Sequence, residues 1–273
     1  MTITLHLVRH AQGFHNLSHE NEQLPDPQLT PLGLEQCAAL RASFPYHDRL
    51  THLVASPMRR TLLTCHHSFT PAVYNPSSNP AGKRIVAQPL VQEVSTQPCD
   101  TGSEPGALTE EFGAWTDDAL VTTGWNDKRS AESPWRPTIE ALENRAREAR
   151  RWLRELGRQA RAQGSEDADI VVVSHGGFLH FLTDDWDGMS LEKGTGWMNT
   201  EWRSYEFVCG ADDQGEDEDA RIRETAGSWK RRRGTEEQLT EAELREAKAV
   251  LLEGVRKKLA EMEEAAGGVN GKA

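Results

Sequence analysis

The chain has 273 residues, enough for one large domain or two small ones to bury a core that supports itself. A hydrophobic fraction of 37%, with no apolar run near the roughly 18 residues of a membrane span, excludes collagen-like and membrane-spanning classes. Lys and Arg number 31 against 43 Asp and Glu; the net charge of −12 repels nucleic acid and anionic lipid, so an anionic ligand needs a locally cationic site.

The start, Met1-Thr2-Ile3-Thr4, lacks the basic and apolar regions of a secretory signal. Cys37, Cys65, Cys99 and Cys209 are far apart and include no C-x-x-C pair, which indicates neither a zinc site nor a redox dithiol. Four free thiols suit a reducing compartment, and a cytoplasmic protein is expected.

Thr4 to Arg9 follows a β pattern that ends at His10. Thr30 can cap a helix that starts at Pro31 and carries Leu34, Cys37, Ala38 and Leu40 at helical spacing. Leu53 to Ser56 reads as a second strand, Met58 to Ser68 as the helix after it, and Ile85 to Ala87 as a third strand beyond a Pro- and Asn-rich loop. Residues 95–137 show no sustained period, and we expect an inserted cap of short helices and loops; Trp115, Trp125 and Trp135 in it are more often packing residues than ligand contacts, the alternative being that one of them faces an aromatic or apolar substrate.

A long helix is predicted from Thr138 to Gly164, with Leu142, Ala146, Ala149 and Leu153 on its apolar stripe. Ile170-Val171-Val172-Val173 is a β-branched run without polar alternation, the mark of a strand covered on both faces of a parallel sheet, and His175 follows it directly. A short helix over Phe178 to Thr183 and a last strand over Glu201 to Val208 complete an α/β pattern. Residues 210–238, with six acids between Asp212 and Asp219 and then Lys230-Arg231-Arg232-Arg233, read as a solvated charged linker. Thr240 and Glu243 form a capping-box pattern before an amphipathic helix in 239–273, which can dock on the domain or on a second copy of the chain as a homodimer.

In such a sheet ligands bind beyond the carboxyl ends of the strands. His10 and His175 each stand there, Arg9 precedes the first, and Arg60 opens the helix after the second strand. A strand-end His taken alone is usually structural. Two forked guanidinium groups beside two imidazoles are the set a phosphoryl group needs.

Arg9-His10-Ala11-Gln12-Gly13-Phe14-His15-Asn16, Leu29-Thr30-Pro31-Leu32-Gly33, Ser56-Pro57-Met58-Arg59-Arg60, Glu93 and Ser174-His175-Gly176 occur in the order of the histidine phosphatase superfamily, the phosphoglycerate mutase-like family, which the chain resembles. The first motif departs from the commoner R-H-G-E form at Ala11 and Gln12. The resemblance implies a three-layer α/β/α fold with a mostly parallel sheet over residues 1–209. It implies His10 as a nucleophile that becomes phosphohistidine, with Arg9, Arg60 and His175 on the phosphoryl oxygens and Asn16 on the same phosphate. Glu93 stands where the family's phosphatases carry their proton donor, with Asp100 as the rival acid. His15 and Gly176 are further candidates for substrate contact, and Arg59 is expected at the surface.

The function expected from this set is hydrolysis of a small phosphomonoester without metal or cofactor, with a phosphoglycerate mutase, or a non-catalytic phosphate-binding scaffold, as the alternatives. The E-R-H-Y-G segment of glycolytic mutases is absent between Glu93 and Trp115, which disfavours the first alternative.

Overall fold

In the computed structural model, residues 2–75, 77–162, 164–190, 194–208 and 218–254 are described. Seven strands form one sheet in the order β4-β3-β2-β5-β1-β6-β7. These are β1 (Ile3–Arg9), β2 (Leu50–Ala55), β3 (Ile85–Ala87), β4 (Thr116–Asp117), β5 (Ala168–Ser174), β6 (Trp202–Phe207) and β7 (Ile222–Glu224). The first five run parallel to their neighbours, and β6 and β7 are antiparallel. β5, whose seven residues are all buried, lies between β1 and β2, as its uninterrupted β-branched run requires.

The pleat sends alternate side chains to opposite faces. Val8, Leu53, Ala55, Val171 and Val173 pack with Leu40 of α1 (Pro31–Ser43), with Leu62 and Cys65 of α2 (Arg59–Ser68) and with Phe112 of α3 (Pro105–Phe112). Leu5, Leu7, Val54, Ile170 and Val172 pack with Ala146, Ala149 and Leu153 of α4 (Ile139–Ala162) and with Phe178 and Leu179 of α5 (Gly176–Thr183). Three layers result. Thr30 caps α1 as expected, its hydroxyl oxygen accepting from the Gly33 N–H at 3.0 Å.

The insert at 95–137 departs from the expected loop cap in one respect: Thr116 and Asp117 pair with β3 and lengthen the sheet. Trp125 and Trp115 serve the core. Trp125 is buried with its indole N–H donating to the Ser103 carbonyl, and Trp115 stacks on His66.

The linker expected over 210–238 is corrected from residue 222 onward. Ile222–Glu224 forms β7 on the sheet edge, and Ala226–Arg233 forms α6, capped by the Thr225 hydroxyl. Trp229 is buried under the Arg232 guanidinium, and Arg232 bonds Glu224 at 2.7 Å and Asp187 at 3.0 Å. The basic run that reads as solvated is a fastener: Arg231 also lies over Trp202, 3.5 Å from the ring centre.

The capping box at Thr240 and Glu243 forms, and the helical stretch 241–254 lies on the chain's own domain, with Leu251 and Leu252 against Trp186 and Lys248 paired to Glu143 and Asp184. Residues 209–217 and 255–273, with Cys209 and the rest of that expected helix, lie outside the described residues. No described helix is long and apolar enough to cross a membrane.

Trp229→Ala is expected to lower unfolding stability by about 3 kcal/mol in a urea titration, the usual cost of truncating a buried aromatic. A midpoint equal to that of the parent protein would show that 222–233 does not support the domain.

Candidate active site

Parallel pairing assembles the site. The register sets Arg9 beside Ser174 and Ala55 beside Val173, so residues 10, 56 and 175 emerge together at one edge of the sheet. The His10 and His175 rings stand 5.2 Å apart, and the His15 ring is 5.3 Å from His10 on the other side. A cavity of about 590 Å³ opens here, lined by Arg9, His10, His15, Asn16, Arg60, Glu93 and Asp100 among others. His175 and Gly176 do not line it.

The hydrogen bonds fix both tautomers. His10 Nδ1 is 2.7 Å from the Ala11 carbonyl, which only accepts, so Nδ1 carries the proton and Nε2 keeps the lone pair. His175 Nδ1 is 3.0 Å from Arg60 Nη2, which only donates, so its proton sits on Nε2 and goes to Ser56 Oγ at 2.9 Å. Both nitrogens of His175 are thereby engaged. His175 is thus set directly against the guanidinium that the resemblance places on the phosphate.

Burial, followed by the Arg60 and Arg9 charges, holds His10 well below the usual imidazole value. Burial and Arg60 do the same to His175, and push His15 down to about 3. All three rings are therefore neutral at physiological pH.

Arg60 is fully buried, with Nη1 on the Cys99 carbonyl at 2.6 Å and Nη2 shared between Asp100 at 2.8 Å and His175. Arg9 places Nη1 on the Trp197 carbonyl at 2.5 Å. The buried Nε–H groups of both arginines make no hydrogen bond among the described residues. Asn16 uses its side-chain oxygen to accept from the Gly13 N–H at 3.1 Å, closing the loop around His15. Gln12, where the motif departs from its commoner form, accepts from the Thr30 hydroxyl at 2.8 Å and ties that loop to α1.

The two acids differ in setting. Glu93 lies at the N-terminus of α5, accepting from the N–H groups of Val94 at 2.9 Å, Phe178 at 3.0 Å and Gly177 at 3.3 Å. Burial, helped by the Asp100 charge, nevertheless raises its pKa above the usual carboxylate value, outweighing those donors. Asp100 is paired with Arg60 and accepts from the Ser95 hydroxyl at 2.5 Å.

A side chain at Gly177 would place its Cβ 2.7 Å from Glu93 Oε1, so glycine there keeps the carboxyl seated. Gly176 serves packing instead: its carbonyl accepts from the Thr195 hydroxyl, and an added Cβ would collide with that side chain.

Three residues have roles the sequence reading missed or misplaced. Lys128, from the aperiodic insert, is buried with Nζ 2.6 Å from the Asp100 carbonyl, and burial with Arg145 and Arg60 nearby pushes it down to about 7. Nothing in its surroundings along the chain signals this. Arg145 is buried behind Glu93, donates to the Gln92 carbonyl and lies over the Phe178 ring, with burial pushing it down to about 9. A signal for it exists, because a charge three residues after Leu142 and four before Ala149 falls inside the apolar stripe of α4. Arg59, expected at the surface, is partly buried and bonds Glu111 and Ser103, joining α2 to α3.

The sequence profile of the histidine phosphatase superfamily (branch 1) matches residues 5–211, and the chain belongs to that superfamily. It is 28% identical over 240 residues to a phosphoglycerate mutase-like protein of Arabidopsis thaliana, covering 75% of this chain and 84% of that protein. It is 25% identical over 203 residues to a probable phosphoglycerate mutase, PMU1, of Saccharomyces cerevisiae, covering 63% and 68%. The ecdysone phosphate phosphatase of Bombix mori shares the fold, with TM-score 0.50 at 15% identity over 74% of this chain and 88% of that one.

Gly177→Ala is expected to displace the Glu93 carboxyl and lower turnover of an alkyl phosphate at least tenfold with little change in melting temperature. Full activity in that variant would separate Glu93 from the reaction.

Proposed function

We propose that the protein is a phosphomonoesterase that works through a phosphohistidine on His10. The observation that carries this reading is the lone pair of His10 Nε2, held neutral and oriented by the Ala11 carbonyl in a cavity lined by Arg9 and Arg60. Nε2 attacks phosphorus and the bond to the ester oxygen breaks. The leaving oxygen takes the electron pair and the Glu93 proton, and the Nδ1–H bond to Ala11 stabilises the imidazolium that forms.

Charge on the three equatorial oxygens falls to the two guanidinium groups, and no step of this scheme requires a metal ion. A water molecule then gives its proton to the Glu93 carboxylate and attacks phosphorus. The P–N bond breaks, its electron pair returns to Nε2, and inorganic phosphate leaves. Glu93 is the donor, because its raised pKa keeps a proton available whereas Asp100 is engaged as an acceptor by Arg60 and Ser95. The phosphate meets Arg60 in competition with Asp100, so substrate binding loosens that ion pair.

Two measurements test this. His10→Ala is expected to abolish phosphate release from p-nitrophenyl phosphate, while the parent enzyme keeps its rate in EDTA; a substantially active variant, or activity lost to EDTA and restored by a divalent metal, would overturn the scheme. Glu93→Gln is expected to lower kcat on an alkyl phosphate about 10²–10⁴-fold, but p-nitrophenyl phosphate far less, since its good leaving group needs little protonation. In the parent enzyme kcat/KM on the alkyl ester should decline as pH rises through the raised Glu93 pKa, and that limb should vanish in the variant. Interconversion of 2- and 3-phosphoglycerate without phosphate release would reverse the choice between hydrolase and mutase.

A further inference from the structure

Among the described residues, the cavity is lined by two arginines, Arg9 and Arg60, and three carboxylates, Glu22, Glu93 and Asp100. A phosphate dianion claims both arginines. The group that carries the phosphate then meets carboxylates and uncharged donors and acceptors, among them Asn16, Ser18, Ser95 and Gln97. No Phe, Tyr or Trp among the described residues lines the cavity; Trp125 is buried in the core instead.

Glu22 stands on the first loop with its carboxylate 3.1 Å from His19 Nδ1, its side chain 36% exposed and that of His19 98% exposed. Among the described residues, it thus keeps a negative charge at the cavity wall with no ion-pair partner other than a protonated His19. A second phosphate or a carboxylate on the substrate would face this charge and that of Asp100 without an arginine left to answer it, inside a protein whose net charge is already −12. Hydroxyl groups, by contrast, find amide, hydroxyl and carboxylate partners.

We infer that the substrate bears one phosphate on an uncharged, polyhydroxylated carrier, and that Glu22 is a specificity-determining residue that rejects carriers with a second anionic group. This inference rests on the phosphomonoesterase reading.

The test compares kcat/KM for glycerol 3-phosphate and glucose 6-phosphate with that for 3-phosphoglycerate and fructose 1,6-bisphosphate, using p-nitrophenyl phosphate as the reference. The neutral polyol esters are expected to lead by about tenfold or more, the scale of one unanswered charge partly screened by solvent. Glu22→Lys should narrow that ratio severalfold through KM for the anionic pair, and Glu22→Gln should narrow it less. Hydrolysis of the aryl ester with 3-phosphoglycerate equal or preferred would overturn the inference and leave the phosphatase reading standing. A ratio unchanged in both variants would remove Glu22 from the discrimination. No turnover of any ester, the aryl one included, would remove the phosphatase reading and this inference with it.

Discussion

Burying a guanidinium costs several kcal/mol unless its charge is answered and its donors are used, and Arg60 is buried completely. Three residues from two chain segments answer it: Asp100 with its charge, Cys99 with a carbonyl, and His175 with a ring nitrogen. Each answer organises something else. Asp100 and Cys99 belong to the 3₁₀ turn Pro98–Asp100, to which Lys128 also donates, so the insert is folded against the site by the same cation. His175, having given its lone pair to Arg60, must carry its proton on Nε2 and pass it to Ser56, which locks the ends of β5 and β2 together.

The same cation governs the chemistry. Arg60 and Arg9 next to desolvated imidazoles make protonation of His10, His15 and His175 unfavourable, so the nucleophile proposed above is neutral without a base to deprotonate it. Most phosphate-binding sites need only attract an anion. The proposed reaction needs positive charge close enough to stabilise the transferring group and also to keep the lone pair of His10 free, and a fixed arginine beside a buried ring meets both demands.

The elements that carry this arrangement are legible in the sequence because each depends on local rules. Ile170–Val173 can only be a strand covered on both faces, Thr30-Pro31 can only open a helix, and residues following parallel strands share an edge. The segment 222–233 escapes such rules. β7 has three residues, one of them Arg223, and α6 ends in four consecutive cations without an apolar period. Their order comes from Trp229, Trp202, Asp187 and Glu224, partners brought near only by the finished fold. Lys128 is hidden for the same reason: its meaning lies in a carbonyl 28 residues away.

Two carboxylates in one cavity take opposite parts because their neighbours differ. Asp100 has a guanidinium on one oxygen and a hydroxyl donor on the other. Glu93 has only backbone N–H groups and a desolvated seat, with the Asp100 charge raising its proton affinity further. The Asp100 charge therefore favours a proton on Glu93, which suits the proton-donor role proposed for it.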